Sequence, residues 1–199
     1  MARIRGVLIR DKSGKARQSF IMSGKAPDAA SLYEAAMNHM TRYAATEARL
    51  AQVLARRIDR WAQNQSQDSD PAHLAQRIRQ AKAQIPMVLA RLRELGALND
   101  TAFSAARAQR LLRSGKSRRA TLAHLAAKGV QNPSLPDDPA RELAAACAYL
   151  RRRRAGPYGN APQDKILAAM ARGGFSQDIA RQALALTRQE ADDRISSLA

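Results

Sequence analysis

The sequence predicts an all-α protein, and three observations support this prediction. Alanine and leucine dominate the 199 residues, aromatic residues make up only 4% of them, and apolar residues recur at three- and four-residue spacing along most of the chain. Alanine and leucine favour helices, whereas strands draw on β-branched and aromatic residues. The apolar spacing is that of helices with one buried face. We therefore expect helices from about residue 28 onward.

The N-terminal part changes character near Asp28. Residues 1–28 are basic, contain three glycines and a proline, and show no sustained helical period. The short apolar run at 4–9 is compatible with a strand, but a flexible basic arm is the preferred interpretation. Helical spacing then begins, restarts at Thr46 and gives way to a polar stretch with a proline at 64–71. The next helix is predicted to end at Gly96.

Capping residues mark the later helices. Asn99 or Asp100 is predicted to begin one helix, and Ser117 begins the next, which ends at Gly129. Three prolines between 133 and 139 leave little room for a helix there. The helices expected in this half of the chain cover about 99–113, 117–128, 140–153, 163–172 and 176–187.

Helix ends of similar sequence repeat along the chain. The stretch LAAKGV at 125–130 aligns with MARGGF at 170–175, and LARRID at 54–59 is a looser third copy. Internal similarity of this kind is typical of tandem arrays of small helical units, each too small to bury a core alone. We therefore predict a tandem helical array.

The net charge of +17 is the most informative feature for function. A positive field of this size attracts polyanions, so nucleic acid or a nucleoprotein is the first class of partner to consider. A surface that is basic only for solubility is the alternative. The charge is unevenly placed, because no aspartate or glutamate lies between Asp100 and Asp137 and four arginines follow one another at 151–154.

The helix predicted from Ser117 opens with an unfavourable charge. Lys116, Arg118 and Arg119 lie at its first turn, where each cation faces the positive end of the helix dipole at a cost of roughly 0.3–1 kcal/mol. The free N–H groups of a helix start bind anions, and added cations strengthen that preference. We therefore predict an anionic partner here, with a solvated loop whose charges are screened by salt as the alternative.

Residues that carry catalysis or bind metals are sparse. His39, His73 and His124 have no metal-ligand spacing, and the single Cys147 cannot build a zinc site. Neither a phosphate-binding glycine-rich loop nor a nucleophile elbow occurs. We expect no enzyme activity, no metal and no cofactor. Cys147 is predicted to be a buried filler in a cytoplasmic protein, and no apolar run is long enough to span a membrane.

Three stretches of the chain carry a family resemblance. They are LYEAAMNHMTRYAATEARLAQVLARRIDR at 32–60, LRELGALNDTAFSAARAQRLLRSGKSRRATLAHLAAKGV at 92–130 and RRRRAGPYGNAPQDKILAAMARGGFSQDIARQAL at 151–184. They resemble the bacterial RecX family of regulatory proteins. The most specific parts are LGALND, GKSRRATLAHLAAKGV and ARGGFSQDIARQAL.

The resemblance implies an all-α array of three tandem three-helix units, elongated and curved, without catalysis. It implies a cytoplasmic monomer that binds RecA recombinase filaments along their groove and limits filament growth, ATP hydrolysis and strand exchange in recombination, DNA repair and the SOS response. It also implies affinity for single- and double-stranded DNA. The expected boundaries are 1–28 for the basic arm, 29–97, 98–138 and 139–190 for the three units, and 191–199 for a C-terminal tail.

Basic residues are the candidates for contact with RecA or DNA. By position, Lys116, Arg118, Arg119 and Lys128 match the basic signature of the family's middle unit. The further candidates are Arg107, Arg110 and Arg113, which repeat every three residues, and Arg56, Arg57, Arg151, Arg152, Arg153 and Arg154. The chain departs from the family pattern in two places. The prolines of 133–139 shorten or remove the middle unit's third helix, and the segment at 61–80 lengthens a connection in the first unit.

Two hypotheses about the function follow from the sequence. One is an interaction protein that binds and inhibits or remodels the RecA–DNA filament. The other is an autonomous nucleic-acid-binding protein, architectural or RNA-binding, whose affinity for bare nucleic acid falls steeply with salt.

Overall fold

The computed structural model describes residues 25–65 and 70–198, and across this part of the chain the predicted all-α class is confirmed. Most of the basic arm expected at 1–28 lies outside the described residues. The α-helices of the described residues, in chain order, are α1 Ala29–Met40, α2 Glu47–Gln65, α3 Pro71–Ala83, α4 Ile85–Glu94, α5 Asp100–Arg113, α6 Arg118–Ala127, α7 Pro139–Arg153, α8 Gln163–Gly173, α9 Gln177–Ala185 and α10 Arg188–Ser196. A short 3-10 helix, Gly156–Tyr158, follows α7.

Two helices occupy the region where a single helix ending at Gly96 was predicted. The chain leaves α3 at Gln84, and α4 begins at the next residue. Pro86 has no N–H to continue the hydrogen-bond ladder, and its ring disfavours the α conformation of the residue before it. Gly96 does end α4, with a left-handed φ of 68°. No helix lies between Ala127 and Pro139, as the three prolines of that segment led us to expect.

A helix also occupies most of the segment that the sequence assigns to a C-terminal tail from residue 191. Helix α10 begins at Arg188 behind a capping box, in which Thr187 and Glu190 bond each other's backbone N–H. Ala191 of this helix is fully buried. The pattern Thr-x-x-Glu is a recognised helix start, so the sequence carries a signal for α10 that our interpretation missed.

The chain separates into two compact units. Among the described residues, the first unit contains 25–39, 51–65 and 70–90, and the second contains 40–50 and 91–198. The predicted division into units at 29–97, 98–138 and 139–190 stays a prediction. Within the first unit, α3 is tied to α2 by an ion pair between Lys82 Nζ and Asp59 Oδ1 at 2.7 Å. The Arg77 guanidinium also stacks over the Trp61 ring, 4.9 Å from its centre.

Helix α7 is the centre of the second unit. All eight residues from Leu143 to Leu150 are buried, so the middle of this helix is enclosed on every side. It contacts α5, α9, α10 and the 3-10 helix. The five small residues at 144–148 let these neighbours approach the α7 backbone closely. Cys147 is among them, as predicted for a filler, and its burial raises the pKa of the thiol to about 11.

Thr121 offers a test of the packing around α6. It is fully buried, and its hydroxyl has no hydrogen-bond partner among the described residues. An unsatisfied buried hydroxyl costs about 1–3 kcal/mol. Because valine has nearly the same shape without the hydroxyl, Thr121→Val is expected to raise the free energy of unfolding by about 1 kcal/mol, as measured by urea denaturation.

A matched variant controls for the change of side chain. Thr187→Val removes a hydroxyl that is engaged in the capping box of α10, so it should lower the free energy of unfolding. A loss of stability in Thr121→Val comparable to that in Thr187→Val would contradict the assignment of an unpaired hydroxyl at 121.

Candidate functional site around the turn from α5 to α6

A tight turn joins α5 to α6 and carries Lys116. The Gly115 N–H donates to the Leu112 carbonyl at 2.8 Å and the Lys116 N–H to the Leu111 carbonyl at 3.0 Å, which closes the end of α5. Gly115 has a left-handed φ of 78°. A Cβ added to Gly115 would lie 2.5 Å from the Tyr149 backbone N, so the turn is pressed directly against α7. Lys116 itself is exposed.

Ser117 begins α6 and also holds the end of α8. Its Oγ accepts a hydrogen bond from the Ala120 N–H at 3.1 Å, as predicted for a helix cap. The same hydroxyl donates to the Gly173 carbonyl at 2.7 Å, and Ser117 is fully buried. The start of α6 therefore meets the end of α8 directly.

Arg118 is bonded within the protein through both its backbone and its side chain. Its N–H donates to Glu142 Oε2 at 2.8 Å. Its guanidinium donates to the Leu135 carbonyl from Nε at 3.1 Å and from Nη2 at 2.8 Å, and to the Pro136 carbonyl at 3.1 Å. Burial raises the pKa of Glu142, and the Arg118 N–H and positive charge oppose that rise. Arg118 thus ties the proline-rich segment to the start of α6.

Arg119 explains the unfavourable charge at the start of α6. The residue is exposed, and its Nη2 donates to the Ala171 carbonyl in the last turn of α8 at 3.3 Å. A cation at a helix C-terminus is favoured by the dipole. The charge that is wrong for the first turn of α6 is therefore right for the last turn of α8.

The contact between the Ser117 hydroxyl and the Gly173 carbonyl has a counterpart within the second unit. Thr46 caps α2 by accepting from the Arg49 N–H at 3.2 Å, and its Oγ1 donates to the Lys128 carbonyl, just before Gly129, at 2.6 Å. The Glu47 N–H donates to Asp100 Oδ1 at 2.9 Å, as the Arg118 N–H does to Glu142. We call this arrangement the capped junction: a hydroxyl cap bonded to the carbonyl before a left-handed glycine, with a carboxylate on the next N–H.

The two glycines of the capped junctions lie in the repeated stretches 125–130 and 170–175. Gly129 has a φ of 85° and Gly174 a φ of 92°. In both stretches the last N–H returns to the first carbonyl at 3.1 Å, from Val130 to Leu125 and from Phe175 to Met170. The proposed third copy at 54–59 is wrong as a helix end, because α2 continues through it to Gln65. Its sequence offers no glycine to take the left-handed conformation.

The other basic candidates, on α5, on the turn after it and at the end of α6, differ in whether their side chains form hydrogen bonds within the protein. Arg107 is half-buried and donates to His124 Nε2 from Nε at 3.1 Å, with Nη2 at 3.0 Å from the same nitrogen. Arg110, Arg113 and Lys116 are exposed, and within the described ranges no hydrogen bond or ion pair engages their side chains. Lys128 is exposed as well, although its carbonyl accepts from Thr46.

The arginine run at 151–154 is partly used inside the second unit. Arg151 Nη1 lies 3.6 Å from Asp192 Oδ1 of α10. The Arg153 guanidinium stacks over the Tyr149 ring at 4.9 Å from its centre. Arg152 and Arg154 are exposed, and Arg154 ends α7 with a φ of 51°. Since Gly115 also packs against Tyr149, the end of α7 adjoins the turn that carries Lys116.

The remaining candidates, Arg56 and Arg57, are exposed on α2 and belong to the first unit. The acidic partners of the capped junctions, Asp100 and Glu142, are not predicted from the sequence. Nothing in the local sequence marks either residue as a partner of a distant helix start.

Two kinds of feature are missing from the described part of the chain. No group of three or more histidine, cysteine, aspartate or glutamate side chains there is arranged to hold a metal ion. No helix there combines the length and the apolar character required to cross a bilayer.

Comparison with known proteins gives two curated relatives. The chain is 34% identical over 165 residues to the regulatory protein RecX of Myxococcus xanthus (strain DK1622), which covers 77% of this chain and 83% of that protein. It is 36% identical over 107 residues to the regulatory protein RecX of Agrobacterium fabrum (strain C58 / ATCC 33970), covering 50% of this chain and 58% of that protein. No protein-family model matches the chain. No solved structure matches it either.

Proposed function

This chain belongs to the RecX family of regulatory proteins, and we propose that it is a non-enzymatic regulator that binds the RecA–DNA filament and inhibits its ATPase and strand exchange. The observation that carries this proposal is the similarity to the Myxococcus xanthus RecX along 83% of that protein. The net charge of +17 supports it, because a RecA filament on DNA is a large anionic target. We infer that the protein works as a monomer in the cytoplasm.

The exposed cations of the second unit are the proposed points of contact. These exposed residues are Lys116 and Lys128, Arg110 and Arg113 on α5, and Arg152 and Arg154 at the end of α7. Arg56 and Arg57 present further charge on the first unit. Electrostatic attraction of this kind speeds association and makes it sensitive to salt.

The proposal predicts inhibition in a RecA ATPase assay on single-stranded DNA. Adding the protein at a stoichiometric ratio to RecA and at low salt should reduce the steady-state rate of ATP hydrolysis at least several-fold. An unrelated basic protein of similar net charge serves as the control for non-specific competition, and it should reduce the rate less. An unchanged rate with this chain would contradict the proposed function.

An autonomous nucleic-acid-binding protein is the second candidate, and the extreme net charge favours it. The salt dependence of binding distinguishes the two functions, because the affinity for bare DNA through phosphate contacts falls steeply as the salt concentration rises. If affinity for bare DNA is lost at physiological salt while binding to the RecA filament persists, the filament is the target. If RecA adds nothing to the affinity for DNA, the second candidate replaces the first.

A further inference from the structure

We propose that Arg110, Arg113 and Lys116 form a surface that binds the phosphate backbone of nucleic acid, whereas Arg118 and Arg119 are engaged within the protein. We call these three residues the α5 cation row. The inference rests on the proposed function and deepens it, because it assigns one part of the basic surface to DNA and not to the recombinase.

The hydrogen bonds of the second unit divide the basic signature into two classes. The Arg118 guanidinium is committed to the Leu135 and Pro136 carbonyls, and Arg119 donates to the Ala171 carbonyl. A guanidinium that contacts several carbonyls at about 3 Å would have to give up these bonds to reach a partner. The α5 cation row carries no such commitment among the described residues.

The α5 cation row has the geometry of a contact for a periodic anion. Arg110 and Arg113 are three residues apart, so they lie near one side of α5 at neighbouring turns, about 4.5 Å apart along the axis. Lys116 extends the row beyond the helix end. Cations at this end are favoured by the dipole of α5, so their positive charge does not destabilise the helix that presents them.

The backbone on either side of Lys116 is held in place by contacts with α7 and α8. Gly115, directly before Lys116, is pressed against the α7 backbone, and Ser117, directly after it, is fully buried and bonded to the end of α8. Lys116 is thus an exposed residue between two fixed neighbours. A fixed backbone lowers the entropy that is lost when a side chain binds its partner.

The lack of a clearly exposed large hydrophobic residue on α5, a helix that the structure describes in full, favours phosphate over a protein partner. Protein interfaces depend on large apolar or aromatic side chains at their centre. In the described part of the second unit, the large hydrophobic residues that are clearly exposed are Tyr43 and Leu95, and neither lies on α5 or on the turn after it. Binding of a phosphate backbone requires only cations that displace counterions.

The test compares two triple variants of equal charge. The first is Arg110→Gln, Arg113→Gln and Lys116→Gln. The matched control, Lys165→Gln, Arg172→Gln and Arg181→Gln, removes three exposed cations from α8 and α9 of the same unit. Fluorescence anisotropy with a labelled single-stranded oligonucleotide gives the dissociation constant at several salt concentrations. RecA ATPase inhibition is measured in parallel.

We expect the first variant to lose affinity for the oligonucleotide about tenfold or more at low salt, and the slope of log K against log salt to fall by about 2, near 0.7 per lost phosphate contact. The control should change both quantities much less. Equal losses in the two variants would overturn the inference and indicate diffuse attraction. Normal DNA affinity in the first variant would overturn it, and lost inhibition of RecA in the same variant would then indicate an acidic protein surface as the partner. Failure of the parent protein to inhibit RecA would contradict the proposed function alone, since the DNA measurement uses no RecA.

Discussion

Replacing Gly115 by alanine is expected to destabilise the second unit by about 2–5 kcal/mol, the largest effect that we predict for a single substitution. Two costs combine at this position. The φ of 78° lies in the left-handed region that an L-residue with a Cβ disfavours by roughly 1–2 kcal/mol. The new Cβ would also lie 2.5 Å from the Tyr149 N and 2.7 Å from its Cα, which are backbone atoms of the central helix and cannot rotate away.

Gly96→Ala is the matched control, because it separates the two costs. Gly96 has a similar φ of 68°, but no atom lies within 4 Å of an added Cβ there. This variant should lose only the conformational part, about 1–2 kcal/mol. Urea denaturation followed by circular dichroism at 222 nm measures both variants. Equal losses at the two glycines would show that the turn does not press against α7.

Replacing Ser117 by alanine is the second large prediction, with an expected loss of about 2–4 kcal/mol. The substitution removes the cap of α6 and also the hydrogen bond to the Gly173 carbonyl at 2.7 Å. The site is fully buried, so no solvent replaces the lost donor.

Ser176→Ala provides the comparison for Ser117→Ala. Ser176 caps α9 in the same way, accepting from the Ile179 N–H at 3.3 Å, but it is exposed. Its replacement should cost only the value of a cap, about 1 kcal/mol. Urea denaturation of the two variants then gives the contribution of the contact between α6 and α8 as a difference. A loss in Ser117→Ala no greater than in Ser176→Ala would show that this contact does not stabilise the fold.

Local signals predicted most helix boundaries of the second unit. Ser117 as a cap, Gly129 and Gly174 as helix ends, and the prolines after Val130 all act on their immediate neighbours, so their effects can be judged from a few residues. The same logic explains the error at 54–59, where apolar similarity without a glycine did not end α2.

The roles of Arg118 and Arg119 could not be predicted in this way. Their acceptors are backbone carbonyls that lie 17 residues away, at Leu135, and 52 residues away, at Ala171. Every residue has a carbonyl, so the sequence contains no pattern that marks these as partners. A row of cations in a sequence therefore indicates charge but does not distinguish side chains that bind within the protein from those that remain available. For this chain, the proposed contacts with RecA and DNA stay predictions that the charge-matched variants test.

The capped junction also has a direction along the chain. In each occurrence, a hydroxyl at a helix start receives the glycine end of a later helix, at Thr46 and again at Ser117. The start of α8 has Pro162 at its cap position, with no side-chain hydrogen bond. A designer who wished to append another segment by the same connection would have to supply a hydroxyl at 162 and a carboxylate and a glycine downstream.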